Sequence, residues 1–303
     1  MPLRLSLLCV LLFGLASAAR ADATITFEHG GHKRVAVLHL PARAGGALPL
    51  VILLHGAGGS GEQALSHYGW PALADAEGFA VLAPDAMPAR PDREANLRNN
   101  PRFWDDGSGR GLRKVDDTGF ILAAVEQAAR RFDLDRRRLY AAGHSSGSGM
   151  AQRLGLDHAD RIAAIGVVAG QRPPGGPPKR PLPVVYINGA EDTANPVAGG
   201  VRELPWGRPT TLPPLSESLD GWARFNGCAA PTQSAPVAKV SLTRWGSCRD
   251  GAEVLFYLLA DQGHQWPGGK ARRFGPGLGP QSNALDATRT IWDFFHRHPL
   301  PPG

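Results

Sequence analysis

The sequence predicts an α/β domain, with a mostly parallel central sheet covered by helices on both faces. The first sign is a set of short apolar runs, at 49–54, 79–83, 162–169, 183–188 and 254–259, that read as strands buried in a sheet interior. The second is the spacing between them. Segment 116–132 carries Phe120, Ile121, Ala124, Val125 and Ala128 at helical intervals on one face. Strands alternating with helices imply parallel strands joined by helical crossovers.

The elements follow in order. Residues 23–27 and 34–40 alternate apolar and polar around Gly30 and Gly31, as an antiparallel edge hairpin does. Run 49–54 is a central strand. A helix around 70–77 ends at Gly78, and strand 79–83 stops at Pro84 and Asp85. Residues 87–113 form a long polar loop rich in Pro, Arg and Asn. Helix 116–132 leads to strand 138–142 and a helix beginning near Ser148. After strand 162–169, residues 171–181 are so dense in Pro and Gly that they must leave the fold as an excursion. Strand 183–188, helix 215–226, a last strand at 254–259 and a closing helix at 283–298 complete the chain. There is no internal repeat and no linker to a second domain, so residues 22–303 are expected to form one domain.

Residues 1–21 read differently. Arg4 gives a positive start, 5–15 is an apolar stretch too short to span a bilayer, and Ala19, Arg20 and Ala21 suit a cleavage site. This is the pattern of a signal peptide cut after Ala21, with a cut after Ala18 as the alternative. Export to the periplasm or medium is expected, and no later segment is apolar enough to insert in a membrane. The chain has 33 basic and 27 acidic residues, and two of the arginines leave with the signal. The remaining charge is scattered, which gives nucleic-acid binding little support. Cys228 and Cys248 remain after cleavage; an even number in an exported chain predicts a disulfide pinning a local loop. No Cys/His cluster has metal-ligand spacing.

The chemistry is concentrated at Gly143, His144, Ser145, Ser146 and Gly147. G-x-S-x-G between a strand and a helix is the nucleophile elbow of an α/β-hydrolase. The turn is too tight for side chains two residues either side of the serine, and only Ser145 has glycine at both places. A serine hydroxyl needs a base, and the base an orienting acid, in the chain order serine, acid, histidine. Asp192 follows strand 183–188 and is the chosen acid, with Glu191 its neighbouring rival. His264 follows strand 254–259 and is the chosen base. His144 adjoins the nucleophile, but its side chain should point away from the Ser145 hydroxyl, into or under the sheet. His29, His32, His39, His296 and His298 read as surface or packing residues. For the oxyanion hole, Ser146 supplies one backbone N–H and Ala57, in the glycine-rich loop 55–61, the other. That loop lacks the G-K-[ST] ending of a phosphate cradle. It also opens no convincing helix with a following acidic residue, which counts against a dinucleotide fingerprint.

Together these residues resemble the secreted esterases of the polyhydroxybutyrate depolymerase-like family, related to feruloyl and acetylxylan esterases. The matching pieces run from about Pro49 to the end. They include L-L-H-G-A-G-G-S at 53–60, A-D-A-E-G-F at 74–79 with A-P-D at 83–85, and D-D-T-G-F at 116–120. The elbow, N-G-A-E-D at 188–192, N-G-C at 226–228 and G-H-Q-W-P-G-G at 263–269 complete the set. The resemblance implies a Ser145, Asp192 and His264 triad. The chain departs from the family at Ser148, where a second glycine is usual, and at His144, where an apolar residue is frequent. Those changes bear on substrate preference more than on chemistry.

The expectation is therefore an exported serine esterase acting on small or oligomeric esters, whether hydroxyalkanoate, feruloyl or acetyl, without metal or organic cofactor. Trp266 and Trp104 are candidates for lining the pocket. A serine peptidase of the same fold is the alternative enzyme, and an exported binding protein with a decayed hydrolase fold the alternative outside catalysis. Oligomeric state is not legible.

Overall fold

The computed structural model describes residues 22–42, 45–109, 114–202, 210–270 and 278–302. The expected signal peptide, residues 1–21, lies outside them. An antiparallel hairpin, β1 (Ala23–His29) and β2 (His32–His39), turns at Gly30 and Gly31, both with positive φ. β3 (Leu48–Leu54) is buried at every position, which is why its sequence shows no polar alternation.

Helix α1 (Gly61–Tyr68) comes next, and it corrects the expectation that the glycine loop opens no helix. Its signal was present in the sequence: Ser60 and Gln63 form the S-x-x-Q start of a capped helix, and Ser60 Oγ accepts from Gln63 N at 3.1 Å. Gly69, at φ 81°, ends α1 and starts α2 (Trp70–Glu77). β4 (Ala80–Pro84), α3 (Asp117–Ala129), β5 (Leu134–His144), α4 (Ser146–Asp157), β6 (Ala164–Val168) and β7 (Val184–Gly189) follow. A short hairpin of β8 (Gly200–Arg202) and β9 (Thr210–Leu212) precedes α5 (Leu215–Asn226). β10 (Thr232–Gln233), β11 (Val240–Trp245), β12 (Val254–Leu259) and α6 (Ala287–His296) complete the described chain.

Among the described residues ten strands form one sheet in the order β1-β2-β4-β3-β5-β6-β7-β12-β11-β10. From β4 to β12 the pairing is parallel, and antiparallel strands close both edges. Alternate strand residues feed two cores. Leu50, Ile52 and Leu54 pack with Phe120, Met150 and Trp222 on the face of α3, α4 and α5. Val51 and Leu53 pack with Trp70, Phe79 and Trp292 on the face of α1, α2 and α6. The Cys228–Cys248 disulfide joins the end of α5 to the segment after β11.

One buried ion pair ties the edge hairpin to α3. Arg34 Nη2 donates to Asp117 Oδ1 at 2.6 Å, and its guanidinium lies 3.8 Å from the Phe120 ring centre. Burial outweighs the Arg34 charge and pushes the Asp117 carboxyl above the usual carboxylate range. Breaking such a pair leaves an uncompensated buried group. Arg34→Met is expected to lower stability by about 3–5 kcal/mol in urea melts at neutral pH. An unchanged midpoint would show that the pair is dispensable.

Candidate active site

Three sheet-end turns converge at the carboxyl ends of β5, β7 and β12. At the first, Ser145 is held at φ 55° and ψ −117°, a strained backbone for a non-glycine residue. The flanking glycines are required sterically. A Cβ on Gly143 would lie 2.1 Å from the Gly147 carbonyl oxygen, and one on Gly147 would lie 2.2 Å from that of Leu54. Ser145 N donates to Val168 O at 2.9 Å, which fastens the elbow to the end of β6.

The second turn follows β7. Asp192 Oδ1 accepts from Ala194 N at 2.9 Å and Asn195 N at 2.7 Å, and the carboxylate is fully enclosed. Glu191, the rival acid, is exposed. Side-chain burial thus separates two neighbours that the sequence alone left competing. The third turn follows β12. His264 N donates to Leu278 O, and Gly263 N to Pro280 O at 2.7 Å, so the loop is clamped to the segment beyond it.

These turns place three side chains in line. His264 Nδ1 is 2.8 Å from Asp192 Oδ2, and His264 Nε2 is 2.8 Å from Ser145 Oγ. An ionised carboxylate can only accept, so Nδ1 carries the proton and Nε2 is left to accept from the serine hydroxyl. The geometry can therefore remove a proton from Ser145 and stabilise the imidazolium that results.

The glycine loop faces the same point. A Cβ on Gly56 would lie 3.5 Å from Ser145 Cβ. Gly58 N donates to Arg102 O at 2.8 Å and Gly59 N to Gly56 O at 3.0 Å. Among the described residues, the Ala57 N–H has no backbone acceptor outside helices and strands, and the Ser146 N–H, at the first position of α4, is one of those a helix leaves without an intrahelical partner. Both are thus available to an oxygen at the serine. His55 fixes this loop: its Nδ1 donates to Gly56 O at 2.7 Å and its Nε2 accepts from Ala86 N at 3.0 Å.

Trp104 and Trp266 stand behind the site rather than in an open pocket wall. Trp104 is 1 % exposed and donates Nε1 to His55 O at 2.9 Å. Trp266 is 3 % exposed, stacks on Tyr68 at 4.4 Å and donates to Thr288 Oγ1 at 2.9 Å. His144 is buried as expected, but its ring lies against His264, at 5.0 Å between centroids. The sequence reading also passed over Asn195, whose Nδ2 donates to Ala169 O and ties the acid turn to β6. Its signal was an Asx-type turn, an aspartate followed by small residues and an asparagine. Among the described residues no three His, Cys, Asp or Glu side chains are grouped to hold a metal ion, and no helix is long and apolar enough to cross a membrane.

Residues 35–173 match the family model described as Esterase PHB depolymerase, a span that includes the glycine loop and the elbow. The chain is a carboxylic ester hydrolase that is similar to this family over that span. The esterase NocK of Nocardia uniformis subsp. tsuyamanensis is 29 % identical, over 91 % of the chain and 83 % of its own length. Feruloyl esterase B of Piromyces equi is 29 % identical over 52 % of the chain, and only 30 % of that relative is covered. The poly(3-hydroxybutyrate) depolymerase of Ralstonia pickettii is 31 % identical over 45 % of the chain and 28 % of its own length. The esterase shares its fold with the acetyl xylan esterase of Aspergillus awamori, at a TM-score of 0.58 and 17 % identity over 81 % of the chain and 94 % of that structure. With ten strands, most of them parallel, and helices on both faces, the fold is that of the α/β-hydrolases.

Proposed function

We propose that this esterase works through an acyl-enzyme on Ser145. The observation that carries the reading is the unbroken hydrogen-bonded line from Asp192 through His264 to a serine held in a strained turn. Ser145 Oγ attacks the ester carbonyl carbon as His264 Nε2 takes its proton. The carbonyl oxygen becomes an oxyanion and accepts from the Ala57 and Ser146 N–H groups. The C–O bond to the alcohol breaks, and His264 returns the proton to the leaving alkoxide. Water then gives a proton to His264 and attacks the acyl carbonyl, which frees the acid and restores Ser145. Asp192 holds the Nδ1 proton throughout and stabilises the imidazolium. No step needs a cofactor.

The substrate class is a small or oligomeric ester of a hydroxyalkanoic, aromatic or acetic acid, by analogy with the feruloyl esterase, acetylxylan esterase and hydroxybutyrate depolymerase relatives. Residues 22–303 act as a single catalytic domain, exported after loss of 1–21. The disulfide between Cys228 and Cys248 supports an oxidising destination. A panel from p-nitrophenyl acetate to methyl ferulate and hydroxybutyrate oligomers, run beside peptide amides, tests the class. Ester turnover is expected to exceed amide turnover throughout. Faster peptide cleavage would point to a peptidase instead.

A further inference from the structure

His144 lies between the two halves of the site and is used by neither. It ends β5 immediately before the serine and is 4 % exposed. On one side its ring is 5.0 Å from the His264 ring, tilted by 42°. Behind, Tyr68 meets it edge-on at 5.7 Å. Tyr68 stacks on Trp266, and the Thr288 hydroxyl links them, accepting from Trp266 Nε1 and donating to Tyr68 O. The wall behind His144 is therefore braced to α6. On its other side lies the glycine loop. A Cβ on Gly56 would be 3.0 Å from His144 Nδ1, and its next neighbours, His144 O and Ser145 Cβ, would be at an ordinary 3.5 Å. One imidazole fills the space between the base and the backbone that leads to Ala57.

We propose that His144 is a positioning residue, a wedge that sets the distance between the His264 ring and the oxyanion-binding loop. The inference rests on the Ser145–His264–Asp192 reading and deepens it. A ring packed on both neighbours transmits the position of each to the other, because close-packed interiors shift as units. Removing it lets His264 tilt off the Ser145 hydroxyl and lets Gly56 move inward. A displaced base and oxyanion loop act on the chemical step, so the effect is expected on kcat more than on KM. The sequence placed this side chain away from the nucleophile; its contact with the base comes from the His264 loop folding back over the end of β5.

The test is a double-mutant cycle at positions 144 and 56, read with p-nitrophenyl butyrate. His144→Ala is expected to lower kcat by about 10- to 100-fold with KM changed less than about twofold. Gly56→Ala, which drives a methyl against the ring, is expected to lower kcat on a similar scale. Combining them gives the methyl the vacated space, so the double variant is expected to be faster than Gly56→Ala alone. His144→Phe, which refills the site with a ring of similar shape, is expected to recover most of the kcat lost in His144→Ala. Additive losses, an unaffected Gly56→Ala enzyme, or a His144→Phe enzyme no faster than the alanine variant would overturn the wedge. These outcomes are separable from failure of the triad: if Ser145→Ala keeps wild-type turnover, the nucleophile assignment itself falls.

Discussion

Ser145→Ala is expected to reduce ester turnover by a factor on the order of 10^5 to 10^6 while leaving the protein folded. The size follows from the mechanism. Without Oγ there is no acyl-enzyme, and His264, Asp192 and the two N–H groups are left with a bound ester and no attacking atom. What remains is the small acceleration supplied by binding and oxyanion stabilisation. Alanine keeps Cβ, so the strain at φ 55° and the backbone bond from residue 145 to Val168 O are unchanged. Circular dichroism and the melting temperature should match the parent. Turnover within tenfold of wild type in the purified variant would remove Ser145 from the mechanism.

Asp192→Asn is expected to lower kcat by about 10^4-fold, with the geometry nearly intact. The reason lies in how the carboxylate is shared. Oδ1 accepts two backbone N–H bonds, from Ala194 and Asn195, and Oδ2 accepts from His264 Nδ1. An asparagine has one acceptor oxygen, and the two backbone donors take it. Its NH2 then faces Nδ1, which must become the acceptor, and the ring proton moves to Nε2. A protonated Nε2 cannot take the Ser145 proton. Glu191→Gln supplies the control, because Glu191 is exposed and contributes no side chain to the line. Equal losses in the two variants would mean that the acid has been placed on the wrong residue.

Much of this was legible in the sequence because the strongest physical constraints are local. A strand buried on both faces is apolar along nearly its whole length, and β3 reads that way at once, with β7 and β12 close to it. Helix α5 shows an amphipathic face ended by a glycine, and its range matched the expectation at both ends. The elbow is fixed by two glycines whose Cβ atoms would collide with backbone, so the chain advertises it. What escaped reading was half-exposed or set by distant contacts. β11 lies second from an edge and mixes Ser241, Thr243 and Arg244 among its apolar residues, so its pattern is diluted. Hairpin β8–β9 is three residues on each side, too short to register. The closing helix starts at Ala287 rather than 283 because Asp286 caps it through Arg289 N. Trp104 and Trp266 were placed near the site but not behind it, since depth depends on which loops cover them. The contact between His144 and His264 joins residues far apart in the chain and has no signature in either neighbourhood.

The most direct measurement of the central claim is reaction of the native enzyme with a fluorophosphonate probe, with the adduct located by peptide mass spectrometry. Ester hydrolysis by an activated serine predicts rapid, stoichiometric phosphonylation at Ser145, lost in Ser145→Ala and strongly slowed in Asp192→Asn. A native, ester-hydrolysing protein that leaves Ser145 unlabelled, or carries the adduct on a different side chain, would contradict the account.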